Sequence, residues 1–172
     1  MQTDFNLHVL DNFLSDEMFF KILNITTSMN WDSMGHTYTE EKIKGKHVWF
    51  SREIDPNGFI AKDIKNTIKN KSMLIAKEFS LLSFTMATKV KAFPHEDVGN
   101  TFKNQLILYV DGDTDINKGT GFYVKKNDEF VLNTHVGFQK NRAILFKSGM
   151  WHSPLLFNAN DSAPRISIIA QF

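Results

Sequence analysis

The chain has 172 residues, 42% of them hydrophobic and 13% aromatic, with 20 Lys and Arg against 19 Asp and Glu and no cysteine. This is enough apolar surface for one folded domain with a sizeable core, and the near-balanced charge gives no electrostatic reason to expect nucleic acid or an anionic membrane as the main partner. The missing thiols exclude disulfides, thiolate catalysis and zinc–thiolate centres. The start, Met1-Gln2-Thr3-Asp4, lacks a secretion signal's basic and apolar regions, and no stretch approaches the ~18 apolar residues of a membrane span, so a soluble intracellular protein is expected.

Ser15 followed by Asp16 and Glu17 reads as a helix start, a hydroxyl N-cap with acids at the positive end of the dipole. Met18, Phe19, Ile22, Leu23 and Ile25 then recur at roughly helical spacing up to about Met29. Residues 30–57 are mixed, with Trp31, Tyr38 and Trp49 among polar and charged residues, and Pro56-Asn57-Gly58 forms a turn. The spacing predicts a second helix over 59–79, with Ile60, Ile64 and Ile68 on one face and Lys62, Lys65 and Lys69 on a solvated one. From residue 81 the pattern turns to short β-type runs, near 82–92, 104–111, 119–124, 129–136, 142–147, 151–157 and 165–172. Gly112, Asn117-Lys118-Gly119, Asn127-Asp128, Asn141 and Asn158–Asp161 break them. The expectation is one mainly β domain over 1–172, a barrel or sandwich with packed helices and not a parallel sheet. Residues 1–80 would form its helical front with supporting strands, and 81–172 its core.

The chemistry concentrates in three places. His95 and Asp97 follow Phe93-Pro94, and side chains two apart in an extended segment project to one side, so both can reach a common metal while Glu96 points away. A third ligand must come from elsewhere. His152, delivered by Gly149-Met150-Trp151 at the start of another β-type run, is the best candidate; His135 lies on a strand but lacks that context and reads as structural. Two histidines and one carboxylate form a facial triad that leaves open positions on Fe(II), whereas catalytic zinc usually keeps only one. In the last strand, Arg165, Ser167, Ile169 and Gln171 share a face opposite Ile166, Ile168, Ala170 and Phe172. Arg165 there points either to solvent or inward at an anion, and its planar fork matches a carboxylate.

Taken together, these pieces resemble the double-stranded β-helix core (jelly-roll or cupin-like) of the 2-oxoglutarate and Fe(II)-dependent dioxygenases, especially the prolyl-hydroxylase-like branch. Phe93-Pro94-His95-Glu96-Asp97 resembles the segment carrying the first two ligands. Leu106-Ile107-Leu108-Tyr109-Val110-Asp111 resembles the strand whose tyrosine contacts the cosubstrate, with "YVD" in place of "YLN". Gly119-Thr120-Gly121-Phe122 is similar to the Gly-rich turn entering the next strand. Arg142-Ala143-Ile144-Leu145-Phe146, followed by Met150-Trp151-His152-Ser153-Pro154, looks like the region of the distal ligand. Arg165-Ile166-Ser167 resembles the pair that binds the cosubstrate's far carboxylate. Leu10 to Glu17 is similar to the branch's helical lead-in.

The resemblance implies Fe(II), 2-oxoglutarate and O2 as cofactors, with ascorbate for reactivation. It also implies hydroxylation of a peptidyl residue or a small molecule, with release of succinate and CO2. Its site would be His95, Asp97 and His152 for the metal, and Arg165, Ser167 and Tyr109 for the cosubstrate. Tyr109 shares its strand face with Gln105 and Ile107 and reads equally as a core tyrosine bonded to backbone. His8, His36 and His47 read as surface or packing residues, Tyr38 and Trp49 as core or rim, and Lys140 and Arg142 as surface charges. A cupin-like metalloenzyme needing no 2-oxoglutarate, a catalytically silent barrel binding module and a structural protein remain as other readings of the same residues.

Overall fold

The computed structural model describes residues 7–31, 49–87, 93–97, 101–155 and 164–172, together with the backbone of 35–36; for Trp49 too, only the backbone is described. In chain order the described elements are β1 (Leu7–Leu10), α1 (Asp16–Thr27), β2 (Gly35–His36), β3 (Trp49–Glu53), α2 (Phe59–Ser72), β4 (Leu81–Ala87), β5 (Asn104–Asp111), β6 (Asp115–Lys126), β7 (Glu129–Phe138), β8 (Ala143–Lys147), β9 (His152–Leu155) and β10 (Arg165–Gln171). The strands form two sheets, a large one in the order β1-β8-β5-β10-β4-β3-β2 and a small one in the order β7-β6-β9. This is the expected mainly β fold, present as two sheets rather than one closed ring of strands.

In the large sheet β5 is buried on both faces, which is why Leu106–Val110 reads as an unbroken apolar run. Leu106, Leu108, Val110, Ile166, Ile168 and Ala170 face a core shared with Ile22 of α1 and Ile60, Ile64 and Ile68 of α2. Ile107, Tyr109, Ile144 and Phe146 face the small sheet and meet Phe122, Val136 and Phe138 there. The alternation read in Arg165–Phe172 therefore separates a helix face from an inward face.

Ser15 caps α1 through an Oγ that accepts from the Met18 amide, in line with the predicted start. The second helix is shorter than expected: it stops at Ser72, where Met73 takes a left-handed φ of 60°. The Ser72 hydroxyl donates to the Ile68 carbonyl at 2.7 Å and accepts from the Leu74 amide at 3.3 Å. Beyond it the burial alternates, with Met73 and Ile75 exposed and Leu74 and Ala76 turned inward, a period of two rather than 3.6. The front half also supplies strands that were not predicted individually: β1 pairs with β8 and β3 with β4. The expected break at Asn117-Lys118-Gly119 is instead an irregularity inside β6, where pairing with β7 shifts between Asp115 and Gly119. Gly119 has φ +130° there, and a Cβ would lie 2.0 Å from the Val136 carbonyl oxygen, so only glycine fits. The predicted strand residues 88–92 and 156–157, and the turn at Asn158–Asp161, lie outside the described residues.

Candidate metal centre and its buried arginine

His95 and His152 are brought together by the backbone. The His95 amide donates to the His152 carbonyl at 2.9 Å and the His152 amide to the His95 carbonyl at 2.8 Å. A reciprocal antiparallel pair of this kind aligns the two Cβ vectors on one side, and the imidazole centroids lie 4.5 Å apart. Asp97, two residues on, falls on the same side, with Oδ2 at 3.7 Å from His152 Nε2; its carbonyl also accepts from the Gly149 amide at 3.1 Å. One donor atom from each of the three side chains lies within 4.8 Å of the others.

Each ring is oriented from behind by a carbonyl two residues upstream. His152 Nδ1 is 2.8 Å from the Met150 carbonyl oxygen and His95 Nδ1 is 3.2 Å from that of Phe93. A carbonyl only accepts, so in the neutral rings the proton sits on Nδ1 and the Nε2 lone pair is left for a ligand. Such outer contacts fix tautomer and orientation in metal-binding histidines. His152 is 4% exposed, and its pKa is pushed down from 6.5 to about 4, first by burial and then by the neighbouring His95. It is therefore in its neutral, metal-ligating form at physiological pH. Two nitrogen donors and one carboxylate on one side fit a divalent ion of the Fe(II) type with open positions.

Arg165 settles the question its strand raised: it is 6% exposed and points inward. Its guanidinium donates to the Gly119 carbonyl and lies over the Tyr109 ring, 5.6 Å from the centroid. Burial lowers its pKa, but a guanidinium stays charged in a protein, and its charge is one of those felt by His152. Ser167, on the same face of β10, is 2% exposed and its Oγ has no hydrogen-bond partner among the described residues. A buried cation beside a buried hydroxyl with an unused donor is a cradle that a carboxylate would fill.

Tyr109 is fully buried, stacked on Phe138 at 4.7 Å, and its hydroxyl donates to Thr120 Oγ1 at 2.7 Å with the Val136 carbonyl at 3.4 Å. Burial raises its pKa. Both readings of this residue keep support: it is hydrogen-bonded within the core, and it walls the space occupied by Arg165. Phe146, whose ring centroid lies 5.0 Å from that of His152, and Phe122, at 6.2 Å, complete an apolar lining. A groove of about 550 Å³ bordered by Ile25, Arg52, Phe59 and Phe84 contains none of these residues and borders the helix-side core instead.

His135 is exposed, with Nε2 at 3.2 Å from the Lys118 carbonyl, and takes no part in the cluster. His8 is exposed, while Tyr38 and His47, and the side chains of His36 and Trp49, lie outside the described residues. Lys140 is a surface charge paired with Asp111 at 2.6 Å. Arg142 is a correction: it is no free surface charge, because it grips both Asp11 carboxylate oxygens, at 2.5 and 3.0 Å, and donates to the Gly137 carbonyl at 2.9 Å. The sequence reading also passed over Gln105 as a polar group in its own right; a glutamine inside an apolar strand was the available signal.

No protein-family model and no curated protein sequence matches the chain. Solved structures do. A Pseudomonas putida prolyl-4-hydroxylase aligns over 98% of this chain and 92% of its own, at 16% identity and TM-score 0.63. A prolyl hydroxylase from Trichoplax adhaerens, in complex with a hypoxia inducible factor peptide fragment, covers 97% and 83% at 14% identity and TM-score 0.64. A collagen prolyl hydroxylase of Paramecium Bursaria Chlorella virus-1, in complex with 2-oxoglutarate, covers 98% and 96% at 13% identity and TM-score 0.58. The chain thus shares the double-stranded β-helix fold of these prolyl hydroxylases. The likeness read from the sequence holds, at the level of fold, over nearly its whole length.

Proposed function

We propose that this protein is an Fe(II)- and 2-oxoglutarate-dependent oxygenase of the hydroxylase type. The observation that carries the reading is the convergence of His95, Asp97 and His152, with an inward, buried Arg165 whose charge reaches His152. His95, Asp97 and His152 would hold the iron, which with 2-oxoglutarate and O2 bound supplies the oxidising power for hydroxylating a C–H bond while succinate and CO2 are released. The chain's own residues supply binding and orientation. The two imidazoles offer neutral lone pairs and Asp97 offsets part of the ion's charge. Arg165 and Ser167 take the far carboxylate of 2-oxoglutarate, the guanidinium through charge-assisted bonds and the hydroxyl through its unused donor. Tyr109, Phe122 and Phe146 keep bulk water from the cleft, which strengthens each of these interactions. Ascorbate belongs to the same reading as a reactivant.

A peptidyl residue is the favoured substrate, supported by the peptide complex of the Trichoplax relative, with a small molecule as the other class. No helix among the described residues is long and apolar enough to cross a membrane. The reading is tested by incubating the protein with Fe(II), 2-oxoglutarate, ascorbate and O2 and measuring succinate. Slow succinate formation without added substrate, abolished in His152→Ala, is expected. Equal succinate from the wild type and His152→Ala refutes the proposal.

A further inference from the structure

Gln105 stands near the start of β5, the strand whose even-numbered residues Leu106, Leu108 and Val110 pack against the helices and whose Ile107 and Tyr109 face the small sheet. Alternation puts Gln105 with the second set, pointing between the sheets. It is 1% exposed, and its Nε2 has no hydrogen-bond partner among the described residues. Its cross-strand neighbours are Phe146 on β8 and Gln171 on β10. The ring of Phe146 packs edge-on to His152, so the carboxamide lies toward the histidine end of the cleft. Tyr109, with Ser167 directly opposite it on β10, lies four residues further along, about 13 Å away at strand spacing, toward the arginine end. The face between the sheets therefore carries a charged and hydroxyl donor set at one end and an amide donor near the other. A buried donor left unused weakens the fold, and in a core strand a leucine would serve packing better.

We propose that Gln105 is a positioning residue for the cosubstrate, its Nε2 donating to the end of 2-oxoglutarate opposite the carboxylate that Arg165 and Ser167 would take. This rests on the oxygenase reading above. It separates two quantities that a packing role would keep together: the amide lowers the stability of the empty protein and raises its affinity for the cosubstrate. Gln105→Leu keeps the side-chain size and removes the donor. Anaerobic titration of the Fe(II)-loaded protein with 2-oxoglutarate, followed through the visible charge-transfer band, is expected to show about tenfold weaker binding in Gln105→Leu, in the range of one hydrogen bond to a charged group. Fe(II) affinity should be unchanged, and the melting temperature of the metal-free variant equal to or above that of the wild type. Equal 2-oxoglutarate affinity in the two proteins overturns this inference alone. So does a weaker affinity accompanied by a lower melting temperature of the metal-free variant, which would mark a packing role. A wild type that shows no band at saturating 2-oxoglutarate removes the oxygenase reading and this inference with it.

Discussion

At the scale of single residues, the site is assembled by hydrogen bonds that a sequence does not display. His95 and Asp97 could be paired on paper because side chains two apart in an extended segment share a side. The facing of His95 and His152 depends on two reciprocal backbone bonds, and the aim of each ring on a carbonyl of its own segment. Neither leaves a trace in residue type. Arg165 was legible as a choice between solvent and interior, and only the packing of β10 decides it. The inward arginine carries a prediction. Replacing it with methionine removes a buried cation and the donor to the Gly119 carbonyl. On the proposed function it also deletes a charge-assisted contact to the cosubstrate, worth roughly 1.5–3 kcal/mol. Arg165→Met should therefore bind Fe(II) like the wild type, while its dissociation constant for 2-oxoglutarate rises at least tenfold in equilibrium titration. An unaltered constant would show that the guanidinium does not touch the cosubstrate.

At the scale of elements, Asn141 joins the lead-in of α1 to the turn before β8. It has a left-handed φ of 60°, which asparagine tolerates better than most residues. Its Oδ1 accepts from the Leu14 amide at 2.9 Å, its Nδ2 donates to the Leu14 carbonyl at 2.9 Å, and its own carbonyl accepts from the Phe13 amide at 2.8 Å. The sequence reading identified it only as a strand break, because the turn chemistry is local and its partner lies 127 positions away. Asn141→Ala strands both Leu14 backbone groups in a buried setting and strains the turn, so it should destabilise the protein by about 2–4 kcal/mol in urea unfolding. A loss below ~1 kcal/mol would show that the clamp is dispensable. The same limit explains the overlong second helix: isoleucines four apart announce α2, but the apolar residues after Ser72 keep the helix pattern on paper while folding in an extended run. The short β1 and β3 were missed because their pleats are half exposed and carry few β-branched residues.

At the scale of the molecule, the fold class and the positions of most strands after residue 81 were the most legible features, because turn residues punctuate residues 81–172 and the apolar runs have strand lengths. The interlock of front and back was not. It includes the bidentate grip of Arg142 on Asp11, which joins the end of β1 to the turn after β7. That pair sets a pH dependence. The hydrogen bond from Arg142, opposed in part by burial, holds the Asp11 carboxyl below its ordinary 3.8. The folded state thus binds fewer protons there than the unfolded chain, and the contribution is present above about pH 4 and lost as the pH falls through the folded value. With Asp11 47% exposed, solvent screening limits it to about 0.5–1 kcal/mol. Asp11→Asn should lower stability by that amount at pH 7 and by a much smaller one near pH 2.5. An equal loss at both values would assign the effect to shape rather than charge.

The account turns on three side chains sharing one ferrous ion. Anaerobic titration with Fe(II), read by calorimetry on the wild type, Asp97→Ala and His152→Ala, measures that sharing directly. One equivalent bound tightly by the wild type, a loss of at least tenfold in affinity in each variant, and a rise in wild-type melting temperature with metal concentration are the results expected. Wild-type affinity retained in either variant, or no saturable binding to the folded wild type, would contradict it.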